Sequence, residues 1–160
     1  MVELTDLSET VYDLLGLNPS YTRFGKSLWP VIAGERDHHR DAVYCEGGRL
    51  PGERHCMELE SRYRGKPFEQ HPYWPRLVLQ ARDDRPFHSK AVMCRTREWK
   101  YVLRVGERDE LYDLRTDPGE RMNRIADPSL GSVVHALRER MLRWLYETAD
   151  VVPWSTDQRA

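Results

Sequence analysis

The spacing of apolar residues predicts a short amphipathic helix close to the start of the chain. Four of them fall on one helical face, and these are Leu7, Val11, Leu14 and Leu15. Asp6 is expected to cap this helix, with Glu9 three residues later as its reciprocal partner. Gly16 is expected to end it. A second apolar stretch, Leu28–Ile32, is kept short by Pro30 and Gly34.

Alternating and β-rich patterns predict four strands. The first is Ala42–Glu46, and the others are residues 90–96, 99–105 and 110–114. Thr96–Glu98 is short enough to be the turn of a hairpin. We therefore expect the last three segments to pair as antiparallel strands.

Two Asp-Pro pairs mark helix starts in the second half of the chain. Asp117 is followed by Pro118 and Glu120, which predicts a capping box, and Asp127 is followed by Pro128. The second start opens a long helix, expected over about residues 128–148. Its face toward the sheet is expected to bury Leu130, Val134, Leu137, Met141 and Leu145.

Between the first strand and the hairpin lies a long segment, residues 47–88, with little periodicity and many Gly and Pro residues. Its aromatic side chains argue against a disordered linker, so we expect an ordered loop. The whole pattern predicts an α+β fold, a small antiparallel sheet of about four strands packed against the long C-terminal helix. Residues 153–160 are expected to form a polar tail.

Composition narrows the function without assigning one. The chain has 160 residues, 39% hydrophobic and 32% charged, and its formal net charge is -1. That balance gives no reason to expect nucleic acid or an anionic membrane as a partner. No apolar stretch is long enough to span a bilayer, and no export signal is visible. Taken as it stands, the sequence predicts a cytoplasmic chain. The compartment of the protein stays unknown.

Individual cysteines and histidines give no sign of a metal or catalytic site. Cys45 and Cys94 lie in predicted strands, where a buried free thiol behaves as a small apolar group. His38 and His39 are adjacent, so their side chains diverge, and we expect both in a solvated loop. His135 is expected at the boundary of the last helix. No metal ligands and no catalytic residues are therefore predicted in this chain.

Three motifs, in order, resemble the sulfatase family. Asp6–Leu17 resembles D-[LI]-x-P-T-[LV]-x-D-L-x-G, with Glu9 where Pro is common, and Gly25–Gly34 resembles G-x-S-L-x-P-L-L-x-G. Arg95–Val102 and Glu110–Asn123 are together similar to R-T-x-x-x-K-Y and E-L-Y-D-L-x-x-D-P-x-E-x-x-N. The carboxylates of the last motif, Asp113, Asp117 and Glu120, are expected to be architectural.

The resemblance implies only the C-terminal portion of a sulfatase. Residues 1–40 would be the end of the larger α/β domain, and residues 41–152 the C-terminal subdomain. None of the three cysteines stands in the C/S-x-P-x-R setting of a sulfatase nucleophile. In the intact enzyme the missing N-terminal domain would supply formylglycine and a calcium-type divalent cation, and a sulfate ester would be the substrate. This chain alone is expected to hold no cofactor and to be inactive.

Two alternatives remain open. The chain could be a free-standing, non-catalytic module that binds a partner or an anionic sugar with its Arg-rich and aromatic loop. It could also be part of a phosphonate or phosphate ester hydrolase of the same alkaline phosphatase superfamily. If residues of this chain reach the substrate, the long loop is where we expect them. His88 and Lys90 would supply cationic donors for a sulfate, and Tyr73 and Trp74 an aromatic wall for a ring.

Overall fold

A computed structural model of the chain describes residues 1–50 and 89–149. The helices are α1 (Thr5–Leu14), α2 (Trp29–Ile32) and α3 (Gly131–Thr148), with a 3₁₀ turn at Pro128–Leu130. The strands are β1 (Val43–Gly47), β2 (Ala91–Arg95), β3 (Trp99–Arg104) and β4 (Glu110–Asp113). They form a four-stranded antiparallel sheet in the order β1-β2-β3-β4. The predicted α+β fold is thereby confirmed.

Helix α1 ends at a glycine, as predicted. Gly16 has a positive φ of 64°, a backbone conformation that costs glycine little. The Leu17 N–H donates to the Tyr12 carbonyl at 2.8 Å, and the Gly16 N–H donates to the Asp13 carbonyl at 3.1 Å. These two bonds form a Schellman motif, which satisfies carbonyls that the helix end leaves without a partner.

The start of α1 differs from the prediction. Leu4 occupies the capping position, and Asp6 lies inside the first turn with its side chain fully buried. Glu9 forms an ion pair with Arg23 at 3.1 Å, so it makes no capping box with Asp6. The capping prediction was wrong because Asp6 is held by partners distant in sequence, which local spacing cannot show.

The first two sulfatase-like motifs are joined to each other by hydrogen bonds. The Thr10 hydroxyl donates to the Asp6 carbonyl at 2.6 Å and accepts from the Leu28 N–H at 2.9 Å. The Ser27 hydroxyl donates to the Asp13 carboxylate at 2.6 Å. These bonds attach the segment that leads into α2 to the side of α1.

Gly25 allows this attachment because it has no side chain. A Cβ atom at Gly25 would lie 2.3 Å from the carbonyl oxygen of Thr5 and 2.6 Å from Cγ of Glu9. Both distances are far shorter than any van der Waals contact. Only glycine therefore lets the 25–28 segment approach α1 this closely.

The hairpin and the last strand follow the sequence pattern. Thr96 caps the β2–β3 turn, since its hydroxyl oxygen accepts from the Trp99 N–H at 3.0 Å. The centre of β3 is buried on both faces by Tyr101 and Val102, and β4 contributes the fully buried Leu111. Cys94 is also fully buried, as predicted, whereas Cys45 is exposed, so the prediction for Cys45 was wrong.

After β4 the chain forms a turn where a helix start was predicted. Asp117 does accept backbone N–H groups, from Arg121 at 2.7 Å and Met122 at 2.8 Å. Glu120, however, has a positive φ of 54°, which is incompatible with a right-handed helix. Its carboxylate contacts the Lys100 ammonium on β3, so the predicted capping box is replaced by an ion pair.

The long helix begins where predicted. The Asp127 carboxylate accepts from the Ser129 N–H at 3.0 Å and Pro128 occupies the first turn. Leu137 and Met141 are buried, while Leu130, Val134 and Leu145 are half-buried. The helix is fixed to the sheet by a 2.6 Å hydrogen bond from Arg138 Nε to the Tyr101 hydroxyl.

The described chain divides into two compact units. One contains residues 1–45, 93–101 and 110–149, and the other contains residues 46–50, 89–92 and 102–109. Helices α1, α2 and α3 all belong to the first unit. The domain boundary at residues 40 and 41 stays a prediction, and the polar tail after residue 152 lies outside the described residues.

Candidate functional site

Of the four predicted substrate-contacting residues, only Lys90 lies within the described chain. Its backbone N–H donates to the Arg49 carbonyl at 2.8 Å, and its carbonyl accepts from the Val105 N–H at 2.9 Å. Lys90 is half-buried and directly precedes β2. Tyr73, Trp74 and His88 lie outside the described residues, so their role together with Lys90 stays a prediction.

The carboxylate of Asp6, in the first unit, is fully buried and makes several polar contacts. Arg40 holds it with two nitrogens, Nε at 2.9 Å from Oδ2 and Nη2 against Oδ1. The N–H groups of Glu3 and Lys26 each donate to it at 2.8 Å, and His39 Nε2 lies 2.9 Å from Oδ2. Every oxygen lone pair of this carboxylate is thus directed toward a donor or ring nitrogen.

These contacts keep Asp6 ionised. Burial by itself raises the pKa of Asp6, but the Arg40 guanidinium and the backbone donors outweigh it and hold the pKa well below its ordinary value. Arg40 responds in the opposite direction, since its bond to Asp6 raises its pKa. The pair is therefore a permanent buried ion pair, which joins the first turn of α1 to the chain just before β1.

The surroundings of the two histidines correct a sequence-based expectation. His39 is nearly buried, with 8% of its side chain exposed, because it contacts Asp6. His38 is exposed and lies 3.0 Å from the Asp41 carboxylate. The two adjacent histidines contact different carboxylates, and of the two only His38 is exposed to solvent. No local pattern distinguishes the two, since the buried partner of His39 is 33 residues away.

A cleft of about 750 Å³ opens beside this network, within the first unit. We call it the Trp144 cleft. One side is formed by residues before β1 and the other by α3. Its charged and aromatic lining residues are Glu3, Arg23, Phe24, Lys26, His38, His39, Arg40, Asp41, Tyr44, Glu139, Arg140, Arg143, Trp144 and Glu147. No motif in the sequence pointed to this cleft.

An aromatic pair lies in the wall of the cleft. The Tyr44 and Trp144 rings stack with their centroids 4.7 Å apart and an interplanar angle of 4°. Burial raises the pKa of Tyr44 to about 12 and that of its hydrogen-bonded neighbour Cys94 to about 11. Both groups therefore stay protonated at neutral pH, and neither is activated as a base or nucleophile.

Neither a cluster of metal-ligating side chains nor a membrane-spanning helix is found in the described part of the chain. Across residues 1–50 and 89–149, no group of three or more His, Cys, Asp or Glu side chains is placed to hold a metal ion. None of the helices in the same ranges is long and apolar enough to cross a membrane.

Comparison with known proteins connects the fold to a superfamily. No family model matches the chain. N-sulphoglucosamine sulphohydrolase of Homo sapiens is 26% identical over an alignment of 172 positions, which covers 96% of this chain. A solved 2-O GAG sulfatase shares the fold, with a TM-score of 0.61 and 22% identity over 91% of this chain. The resemblance to sulfatases is confirmed.

The chain is about as similar to a solved phosphonate monoester hydrolase as it is to the sulfatases. The crystal structure of phosphonate monoester hydrolase of Agrobacterium radiobacter has a TM-score of 0.59 and 25% identity over 89% of this chain. The chain spans 33% of the length of the human sulphohydrolase, 24% of the phosphonate hydrolase and 25% of the GAG sulfatase. It therefore corresponds to a C-terminal portion of these larger proteins.

The sulfatase-like motifs coincide with architectural contacts. Asp6, Thr10, Asp13, Gly25 and Ser27 join the first two motifs, as described above. In the third motif, the Asn123 amide oxygen accepts from the N–H groups of Leu111 and Ile125, both at 3.0 Å. These side chains hold backbone segments together, which gives the motifs an architectural role in the fold.

Proposed function

We propose that this chain forms the C-terminal subdomain of a sulfuric ester hydrolase and is inactive by itself. The observation that carries the proposal is the sulphohydrolase similarity, which runs through 96% of this chain but through only 33% of that enzyme. The catalytic nucleophile and the divalent cation would belong to sequence outside these 160 residues. In such an enzyme the cation would supply Lewis-acid polarisation of the sulfate, and this subdomain would support the catalytic domain and shape the substrate entrance.

The exposed side of α1 supports an association of this kind. Leu7, Val11 and Leu14 are each more than half exposed, and Ile32 on α2 is 65% exposed. Monomeric proteins rarely leave a contiguous apolar face of this kind open to water. We call these four residues the α1–α2 patch. In the proposed enzyme, the catalytic domain covers this patch.

The first test measures activity. The purified 160-residue chain should not hydrolyse nitrophenyl sulfate above background, with or without added Ca²⁺, because it offers at most weak acid–base assistance. The coding sequence upstream should continue in frame into a C/S-x-P-x-R motif, and the extended protein should hydrolyse the same ester. Metal-dependent turnover by the 160 residues alone contradicts the proposal, and so does an extended protein without sulfate ester activity.

A second candidate is a phosphonate or phosphate ester hydrolase of the same superfamily. The similarity to the Agrobacterium enzyme favours it, since its identity of 25% is close to that of the sulphohydrolase. The extended protein separates the two classes. We would measure kcat/KM for nitrophenyl sulfate and for a nitrophenyl phosphonate monoester. The substrate with the larger kcat/KM identifies the class of hydrolase.

The role proposed for Lys90 is tested in the same extended protein. Lys90→Ala and His88→Ala, made singly, should raise KM or lower kcat for a large natural sulfate ester more than for a small aryl sulfate. Arg97→Ala, at the exposed β2–β3 turn, is the control. If neither variant differs from the control while the fold is intact, these residues do not reach the substrate.

A further inference from the structure

The Trp144 cleft is a groove that follows one face of α3. The α3 residues in its lining recur at helical spacing, and these are Ala136, Glu139, Arg140, Arg143, Trp144, Glu147 and Thr148. At a rise of about 1.5 Å per residue, this stripe is about 18 Å long. An extended peptide covers that length in roughly five or six residues, so the groove matches a short extended segment of chain.

The chain leaves α3 at one end of this groove. Thr148 is the last residue of the helix and lines the groove, and Ala149 after it has an extended backbone, with φ -75° and ψ 153°. Residues 150–157 follow directly in the sequence, Asp-Val-Val-Pro-Trp-Ser-Thr-Asp. Because they are covalently attached at the end of the groove, their effective concentration there is on the order of millimolar. A weak intrinsic affinity for the groove is therefore enough to hold them in it.

The groove contains positive charge that the described part of the fold does not use. Lys26, Arg140 and Arg143 line it and are exposed. Within residues 1–50 and 89–149 their charged groups form no ion pair, whereas Arg40 in the same groove pairs with Asp6. Three cations are thus available to carboxylates that enter the groove.

Apolar surface and carboxylates in the groove make a purely anionic occupant a poor match. The stacked rings of Tyr44 and Trp144 form part of the wall, and the side chain of Phe24, also in the lining, is 44% exposed. Glu139 and Glu147 line the groove as well and are exposed, so a continuous run of negative charge would be repelled. The occupant that fits best is mainly apolar, with separate acidic groups.

The segment that follows α3 has this composition. Its charged residues are Asp150 and Asp157, both acidic, and Val151–Trp154 between them is a continuous apolar run. Pro153 has a fixed φ near -65° and favours an extended conformation at Val152. This restriction lowers the entropy that the segment would lose on entering an extended groove.

We propose that residues 150–157 of this chain dock into the Trp144 cleft as an extended segment. Val151–Trp154 pack on the aromatic wall, and Asp150 and Asp157 lie against the exposed cations of the groove. A separate peptide, or the same segment of a second copy, is a poorer match because neither is attached at the end of the groove. The docking concerns this chain alone and does not depend on the proposed hydrolase function.

The experiment is ¹⁹F NMR on the 160-residue chain labelled with 5-fluorotryptophan. Trp154→Phe assigns the resonance of Trp154 among the five tryptophans. In the docked state this resonance should lie away from its position in concentrated urea, and its shift between H₂O and D₂O should be smaller than in urea, because the ring is shielded from water. Dilution should leave the resonance in place, since the segment and the groove belong to one molecule.

Variants assign the docking to the groove. Arg143→Glu should lower the ratio of docked to free segment about tenfold, because it replaces an attraction by a repulsion. Ala136→Phe should also displace the segment, by filling the groove without changing its charge. Both positions are exposed on α3, so circular dichroism should be unchanged. Arg97→Glu, at the exposed β2–β3 turn, is the matched control and should leave the Trp154 resonance where it is.

Three outcomes overturn the proposal. The first is a Trp154 resonance at its urea position in the unmodified chain, which shows that the segment does not dock. The second is an equal response of the resonance to Arg143→Glu and Arg97→Glu, which shows that the groove is not the contact. The third is a resonance that moves toward its urea position on dilution, which shows that a second copy binds the segment.

Discussion

Asp6 shows how one buried side chain can hold distant parts of a small fold together. Its carboxylate accepts from Glu3 and Lys26 and pairs with Arg40, whose side chain is only 9% exposed. Removing the negative charge would leave the buried guanidinium of Arg40 with the more exposed Glu3 carboxylate, 3.3 Å away, as its counter-ion. Breaking one partner of a buried pair costs about 3 to 5 kcal/mol, more than the intact pair itself contributes.

Asp6→Asn is therefore expected to lower the free energy of unfolding by about 3 kcal/mol or more, although the side chain keeps its shape. Urea unfolding followed by tryptophan fluorescence measures the change. Asp37→Asn is the matched control, because Asp37 is exposed, and it should stay within about 0.5 kcal/mol of the unmodified chain. Equal stability of the two variants would show that the Asp6 network contributes little.

The same carboxylate makes stability depend on acid. The pKa of Asp6 lies well below its ordinary value in the folded chain, whereas in the unfolded chain it is about 3.9. As pH falls below about 4, Asp6 becomes protonated in the unfolded chain before it does in the folded chain. Proton uptake therefore stabilises the unfolded state relative to the folded state. Unfolding free energy should therefore decrease from pH 5 to pH 3, and less steeply in Asp6→Asn. If the unfolding free energy of Asp6→Asn falls with pH as steeply as that of the unmodified chain, Asp6 is not the source of the acid sensitivity.

Sequence alone could locate Asp6 but could not assign its role. An Asp ahead of an amphipathic stretch is the usual sign of a helix cap, and capping depends only on neighbours. The actual partner, Arg40, is 34 residues away. The same limit applies to His39 and to the Trp144 cleft, whose lining residues come from segments that are far apart in the chain. Cys94, by contrast, was predicted buried because its strand alternates locally.

At the scale of elements, Gly25 decides how closely the segment before α2 approaches α1. Gly25→Ala is expected to destabilise the fold by about 1 to 3 kcal/mol, since the new Cβ would overlap the Thr5 carbonyl unless the segment moves. Thermal unfolding monitored by circular dichroism measures the loss.

Gly47→Ala at the end of β1 is the matched control. Among residues 1–50 and 89–149, a Cβ at Gly47 meets no atom within 4 Å, and its φ is not positive. This substitution should leave the melting temperature within about 2 °C, because neither packing nor backbone strain changes. If the two variants melt together, the close approach of Gly25 to Thr5 does not contribute to stability.

Elements were predictable from sequence where their signals are local. The β2–β3 hairpin follows from alternation on either side of a three-residue turn. An Asp-Pro pair caps the 3₁₀ turn Pro128–Leu130, which leads directly into α3. The same Asp-Pro signal at Asp117 gave a wrong helix start. There the chain turns because Glu120 adopts a positive φ and pairs with Lys100, 20 residues earlier. A tertiary ion pair thus replaced the local helix preference.

At the scale of the whole molecule, the exposed α1–α2 patch is expected to determine whether the chain self-associates in solution. Leu7, Val11, Leu14 and Ile32 are between 51% and 65% exposed, so burying them against another surface would release apolar area from water. The 160-residue chain is expected to self-associate at micromolar concentration, and sedimentation velocity measures this directly.

Placing charge in the α1–α2 patch should abolish the association. Leu7→Lys with Leu14→Lys puts two like charges on one face of α1, seven residues apart, and should yield a monomer with unchanged circular dichroism. The matched control is Leu142→Lys with Tyr146→Lys, which adds the same charge to an exposed face of α3 outside the patch and should still self-associate. In the extended hydrolase the first pair should instead lower the melting temperature, because the proposed catalytic domain covers those leucines. A chain that is already monomeric, or a control pair that disrupts association equally, would show that the patch is not the contact surface.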